Sequence, residues 1–184
     1  MVGSWDNSIY GVNADSGSKA WQVMTDDSVA SSAAIRDGVA YCGSDDRGVY
    51  AIDVKDGRRI WRAELGWQVR SSPALTPEAL VIGCLDGAIY ALSLDTGEVL
   101  WRTGTSEEVT AAPGVCGDVV YVGSRDGALY ALALDSGEEL WRHQTAFGVY
   151  STPAIAEGTV FIGLDYYDVA AFRPQSGTEG LERA

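Results

Sequence analysis

The chain has 184 residues, enough for one well-packed domain and too few for two comfortable ones. Its 46 % hydrophobic content excludes a disordered chain, and no apolar run approaches membrane-spanning length, so no membrane insertion is expected. Twenty-six acidic residues stand against 13 basic ones, and the net charge of −13 repels nucleic-acid phosphate and anionic lipid head groups, which excludes nucleic acid as a partner.

From the first residues the chain sets a register that it then keeps. Gly3, Tyr10, Gly17 and Trp21 return forty residues on as Gly43, Tyr50, Gly57 and Trp61. They return again as Gly83, Tyr90, Gly97 and Trp101, and once more as Gly123, Tyr130, Gly137 and Trp141, with no insertion or deletion. A fifth unit keeps Gly163 and Gly177 but carries Ala170 and Leu181 at the tyrosine and tryptophan positions. The expected organisation is a single domain over 1–184, with frames 3–42, 43–82, 83–122 and 123–162 and a degenerate partial repeat over 163–184.

Inside a unit the apolar pattern has period two. In the third unit, Ala79 to Gly83 is a short apolar strand, Leu85-Asp86-Gly87 a tight turn, and Ala88 to Leu94 the next strand. Asp95-Thr96-Gly97 turns again into Val99-Leu100-Trp101-Arg102, since glycine supplies the positive φ that hairpin turns require. Ahead of these lies a fourth short element, Ser71-Ser72-Pro73-Ala74-Leu75, repeated as Ala111 to Val115 and Ser151 to Ile155. Proline there marks the start or edge of a strand, because it cannot donate to a ladder.

Four antiparallel strands per forty residues is the arithmetic of a WD40-like propeller blade. The fold class is therefore all-β, a β-propeller of four-stranded antiparallel blades, with four repeats and a partial fifth. The small Ser/Ala/Pro strand suits the crowded axis. Trp21, Trp61, Trp101 and Trp141 suit the outside of the blade, as anchors wedged between neighbours.

The ends are out of phase with a blade. The chain opens in mid-unit at Val2-Gly3-Ser4-Trp5 and ends with the missing strand type and more. Residues 151–155 have the pattern needed to close the first blade, but closing four blades that way leaves 159–172 redundant. Two chains sharing one eight-bladed ring, or a piece of a longer polypeptide, are favoured over a closed four-blade monomer.

The phrase Val122-Gly123-Ser124-Arg125-Asp126-Gly127-Ala128-Leu129-Tyr130-Ala131-Leu132, continuing as Asp135-Ser136-Gly137-Glu138-Glu139-Leu140-Trp141, resembles the PQQ-like repeat. That repeat occurs in quinoprotein dehydrogenases and in the outer-membrane assembly lipoprotein. The match covers about residues 2–172, and the tryptophan resembles the family's tryptophan-docking position. The resemblance implies a propeller, and for function either an enzyme or an interaction scaffold. In the enzymes it would imply a catalytic carboxylate, a calcium or lanthanide ion and a vicinal disulfide. This chain has no adjacent cysteines, so no cofactor is expected.

Enzyme signatures are otherwise missing. His143 is the single histidine, expected at a strand end near the surface, and no GxSxG, Walker or HExxH pattern occurs, so no catalytic residue is assigned. Cys42, Cys84 and Cys116 each sit in or beside an apolar run and read as buried, inert thiols. The recurring Asp6, Asp46, Asp86 and Asp126 offer a ring of carboxylates. An aspartate fixed in a hairpin turn instead accepts its own backbone N–H groups, so no metal site is expected. The second-turn set Asp15, Asp95 and Asp135 reads the same way.

Variation inside a strict repeat is the better guide to binding, because loop chemistry is not set by the fold. After each Trp strand the equivalent loop residues are Asp27, Trp67, Glu107 and Phe147; three places on come Ala30, Arg70, Thr110 and Tyr150. Before the turn aspartate stand Trp5, Asp45, Leu85 and Arg125. In a propeller these loops open on one face. The candidate partner-binding residues are Trp5, Trp67, Arg70, Glu107, Arg125, Phe147 and Tyr150, types that anchor protein interfaces. The expected function is a non-catalytic scaffold that binds a protein or peptide through this face. One alternative is a segment of a PQQ-dependent oxidoreductase; another is a structural unit that completes a larger ring with a second copy of itself.

Overall fold

The structure, a computed structural model, describes residues 1–164, 168–174 and 181–183. They form five antiparallel sheets in chain order. The first has three strands, β1 (Val2–Ser4), β2 (Ser8–Val12) and β3 (Lys19–Met24). The second is β4 (Ala34–Arg36), β5 (Val39–Gly43), β6 (Gly48–Asp53) and β7 (Arg59–Glu64). The third is β8 (Ala74–Leu75), β9 (Ala79–Cys84), β10 (Ala88–Ser93) and β11 (Val99–Gly104). The fourth is β12 (Gly114–Cys116), β13 (Val119–Gly123), β14 (Ala128–Ala133) and β15 (Glu139–Gln144). The fifth is β16 (Ala154–Ala156), β17 (Thr159–Leu164), β18 (Asp168–Pro174) and β19 (Leu181–Arg183). Each strand pairs with the next in sequence, so every sheet is a meander.

Ala154–Ala156 pairs with β17 as the first strand of the fifth sheet, so residues 151–155 do not close the first blade. The partial repeat over 163–184 contributes β18 and β19 to that sheet, and the first sheet has three strands. Gly177 lies outside the described residues. The sheets are also phased differently from the frames, because a sheet begins at the short strand (34, 74, 114, 154).

Alternation along the middle strands places the core between sheets. In β6, Val49 and Ala51 pack toward the third sheet, against Leu80, Ile82, Tyr90 and Leu92. Tyr50 and Ile52, on the other side of the same strand, pack with Ile9 and Val29 of the first unit. The same division recurs between the third and fourth sheets and between the fourth and fifth. A strand with neighbours on both faces reads as a continuous apolar run, and β9, β10 and β14 are such runs.

The repeated glycines have two separate causes. At Gly43, Gly83 and Gly123 an added Cβ would stand 2.4–2.5 Å from Cγ1 of Val69, Val109 and Val149, so the loop valine of each unit leaves no room for a side chain. At Gly57, Gly97 and Gly137 φ lies between 71° and 77°, and the indole of the preceding unit's tryptophan covers the residue. That indole also donates across the interface: Trp21, Trp61 and Trp101 Nε1 reach the carbonyls of Val54, Leu94 and Leu134, each at 2.8 Å. Trp141 packs into the core between the fourth and fifth sheets, 5.8 Å from the ring of Tyr121.

A bulge precedes each tryptophan. The register between β6 and β7 passes from Ala51↔Trp61 to Ile52↔Arg59, and the same shift recurs in the first, third and fourth sheets. Ala20, Ile60, Leu100 and Leu140 are the skipped residues, and they stand exposed on the outer strand. A bulge sharpens local twist and re-aims the next side chain, here the indole, into the neighbouring sheet.

Candidate partner-binding loop face

The turn between the two middle strands and the loop leaving the outer strand lie side by side in each unit. Leu65 N donates to Arg47 O and Val69 N to Ser44 O within the second unit, and Leu85 N donates to Gln68 O of the preceding loop. Thr105, Val109, Thr145 and Val149 repeat these contacts in the third and fourth units. The remaining turns gather at the opposite end, where Val54, Leu94 and Leu134 N donate to the carbonyls of Gly38, Glu78 and Asp118.

All seven candidate residues therefore sit at the first of these two ends. Trp5 is 81 % exposed, Trp67 55 %, Phe147 48 % and Tyr150 46 %. Glu107 is exposed as well. Arg70 is engaged within its own unit, and Arg125 with both its own and the preceding one. Arg70 makes a bidentate pair with Asp45, at 2.9 Å from Nε to Oδ1 and 2.9 Å from Nη2 to Oδ2. Arg125 pairs with Glu108 and lies 5.7 Å from the ring of Tyr150. The two variable positions thus face each other across one unit, Asp45 with Arg70 and Arg125 with Tyr150.

Each turn aspartate has a partner that sequence reasoning missed. Tyr10, Tyr50, Tyr90 and Tyr130 donate their hydroxyls to Asp6, Asp46, Asp86 and Asp126 at 2.5–2.7 Å. The signal was present in the shared period, since aspartate and tyrosine stand four residues apart in every unit. Asp46 and Asp126 also accept from the backbone two residues on, Gly48 N at 2.7 Å and Ala128 N at 2.9 Å, which is the expected turn capping. Their second oxygens hold the preceding unit's loop through Asp26 N and Ser106 N, each at 3.0 Å. In the other turn the expected acceptors are displaced. Asn13 and Asp53, two residues before the Asp15 position, take the amides there, because the side chain at the turn's first residue faces them.

Arg62 and Arg102 complete the network, with Nε at 3.2 Å from Tyr50 Oη and 3.1 Å from Tyr90 Oη. Burial opposes ionisation of Asp46, but the hydrogen bonds from Tyr50, Asp26 and Gly48 and the Arg62 charge outweigh it and hold the carboxyl below its usual range. Burial and the neighbouring carboxylate push Tyr50 and Tyr130 up to about 12. An unfolded tyrosine titrates near pH 10, so these phenols contribute stability that is complete below pH ~10 and lost as pH rises toward 12. The melting temperature should begin to fall near pH 9, where the buried thiols of Cys42 and Cys84 titrate in the unfolded chain, and fall more steeply above pH ~10 as the tyrosines join them. In a Tyr50→Phe, Tyr130→Phe double variant the fall above pH 10 should be shallower; an unchanged slope would assign it to other groups.

Two open clefts lie on this face. One, of about 560 Å³, runs between Asp26, Asp27, Asp46, Glu64 and Trp67. The other, of about 440 Å³, runs between Leu85, Asp86, Ser106, Glu107 and Arg125. Among the described residues no set of three or more histidine, cysteine or carboxylate side chains is arranged to hold a metal ion. No helix among them is long and apolar enough to cross a membrane. Cys42 and Cys84 are buried, and burial raises their thiols to about 12 and about 11. Cys116 corrects the sequence reading: it is exposed, at the end of β12 beside the turn at Gly117. His143 lies within β15 and is half-buried, 4.7 Å from the ring of Phe172 in the fifth sheet. With the three cysteines on separate strands, these residues do not fit a quinone site of the vicinal-disulfide type.

Serial four-stranded antiparallel sheets, each packed face to face on the next and joined by an outer-strand tryptophan, define a β-propeller of the PQQ-like repeat class. The sequence matches the family model described as outer membrane protein assembly factor BamB over residues 5–94 and 67–184, and the chain belongs to that family. Among solved structures, BamB from Moraxella catarrhalis superposes with a TM-score of 0.81 at 20 % identity, covering 92 % of this chain and 56 % of that one. The computationally designed Ika8 protein gives 0.82 at 17 % identity, over 92 % of this chain and 53 % of its own. The designed Ika4 protein gives 0.70 at 19 %, over 77 % and 88 %. The chain thus spans little more than half the length of the first two. No curated protein sequence matches it significantly.

Proposed function

We propose that this chain is a non-catalytic propeller module, a single unit over 1–184, which binds a protein or peptide through the face carrying Trp5, Trp67, Arg70, Glu107, Arg125, Phe147 and Tyr150. One observation carries the reading: Trp5, Trp67, Phe147 and Tyr150 are all strongly exposed at that end of the sheets. Exposed aromatics gathered on one face are the common mark of a protein interface. The family's description as an assembly factor points the same way. The relatives' greater length supports a second part of the proposal, that these sheets act as one arc of a larger ring.

Selection of a random displayed peptide library against the folded protein tests the reading. Enriched peptides should lose at least about tenfold in affinity against a Trp67→Ala, Phe147→Ala variant. They should be unaffected by Glu98→Gln with Asp118→Asn, changes at the opposite end. Enriched peptides that bind the aromatic variant unchanged would refute it.

A further inference from the structure

The face that each sheet turns toward the preceding one carries three recurring positions on its middle strands. Cys42, Ile82, Val122 and Ile162 fill the first, and Ile52, Leu92, Leu132 and Phe172 the third, every one at most 1 % exposed. Tyr50, Tyr90, Tyr130 and Ala170 stand between them and are buried too. The first sheet keeps this apolar chemistry with Val2, Tyr10 and Val12. There, however, Val2 is 51 % and Val12 45 % exposed, and Tyr10 is only half-buried. Gly17 repeats the contrast. Its φ of 69° matches Gly57, Gly97 and Gly137, which an indole covers, yet no described atom lies within 4 Å of a Cβ placed on it.

The fifth sheet has the complementary opening. On the face that each sheet turns toward the following one, Tyr41, Val81 and Tyr121 are at most 6 % exposed, and Ala51, Ala91 and Ala131 are fully buried. Their equivalents are Phe161, at 39 % exposed, and Ala171, half-buried. Single exposed apolar residues are ordinary on any surface. These occupy the positions that form the joint between sheets everywhere else in the chain.

We infer that the first sheet of one copy packs against the fifth sheet of a second copy, in the geometry that already joins neighbouring sheets. This rests on the reading that the sheets are one arc of a larger ring, and names what completes it. Continuity with the internal joints selects the occupant. Each chain has one open face of each kind, so two copies cover both openings of one another. Position 181 is leucine where the earlier units have tryptophan, so this joint lacks the indole hydrogen bond and is weaker than those within the chain. A net charge of −13 on each copy opposes the contact, so added salt strengthens it.

Light scattering on the intact chain, over a concentration series at low and high salt, tests the inference. A two-chain species should grow with concentration and form several-fold more tightly at high salt. Val12→Asp and Phe161→Asp should each weaken it at least about tenfold. Leu100→Asp makes the same change on an exposed outer-strand residue and should alter it less than about twofold. A mixture of the Val12→Asp and Phe161→Asp variants keeps one intact joint and should form a mixed pair, although each variant alone stays single. A parent chain that stays single throughout, a pair insensitive to both face variants, or a mixture that stays single overturns the inference. Urea unfolding of the same variants separates it from the arc reading. A single parent chain that both face variants destabilise well beyond Leu100→Asp has its ring closed internally, and the arc reading falls as well. A single parent chain whose face variants are no less stable than Leu100→Asp overturns only the second copy.

Discussion

Replacing Trp101 by alanine should destabilise the protein by about 3–5 kcal/mol, among the largest single-residue losses available to it. The indole is 8 % exposed and packs within the core between the third and fourth sheets. It covers Gly137 and donates to the Leu134 carbonyl at 2.8 Å, so truncation opens a cavity and orphans an acceptor together. Trp5→Ala is the internal control, since that ring is almost wholly in solvent and its loss should change stability by less than about 0.5 kcal/mol. Urea or guanidinium unfolding of the two variants provides the comparison. A Trp101→Ala cost under about 1 kcal/mol would mean that the indole is not holding the interface.

The second large effect is expected at Asp46, whose side chain is 2 % exposed. Its oxygens accept from Gly48 N, Tyr50 Oη and Asp26 N, and Arg62 lies 3.6 Å away. Alanine there strands a tyrosine hydroxyl, two amides and a guanidinium, at a cost of about 3–4 kcal/mol. Asparagine keeps the acceptor to Gly48 but loses the charge, and should cost roughly half as much. If Asp46→Ala and Asp46→Asn melt together, the charge rather than the hydrogen-bond geometry carries the effect.

The blades were legible in the sequence because four marker positions share one unbroken period through four units, and because each answers a contact that recurs from unit to unit. Period-two alternation located β9 and β10 to within a residue or two. The bulge before each tryptophan was not legible, since an extra residue in a strand leaves no compositional trace. The fifth sheet forms although its last unit lacks two of the markers. Its backbone pairing survives the loss of the tyrosine and tryptophan markers, because ladder hydrogen bonds need no particular side chain. The loop face was legible as positions that vary within a strict repeat. What variation alone could not convey was that Arg70 turns to Asp45 and Arg125 to Glu108, because partners 25 and 17 residues away in sequence become neighbours only when two loops lie side by side. The Asp–Tyr pairs were in plain view but read as two independent markers.

The arrangement of indole and glycine also bears on how such a chain lengthens. One flank of the second sheet offers Gly57 and the Val54 carbonyl to Trp21, and its other flank extends Trp61 toward Gly97 and Leu94. Socket and plug therefore belong to the same forty residues, on opposite sides. An in-register tandem duplication creates a matched joint at once, with no compensating substitution, because head-to-tail complementarity is already complete within one copy. An insertion between Val54 and Trp61 would part plug from socket, whereas one in an exposed loop elsewhere in the unit would leave both in place.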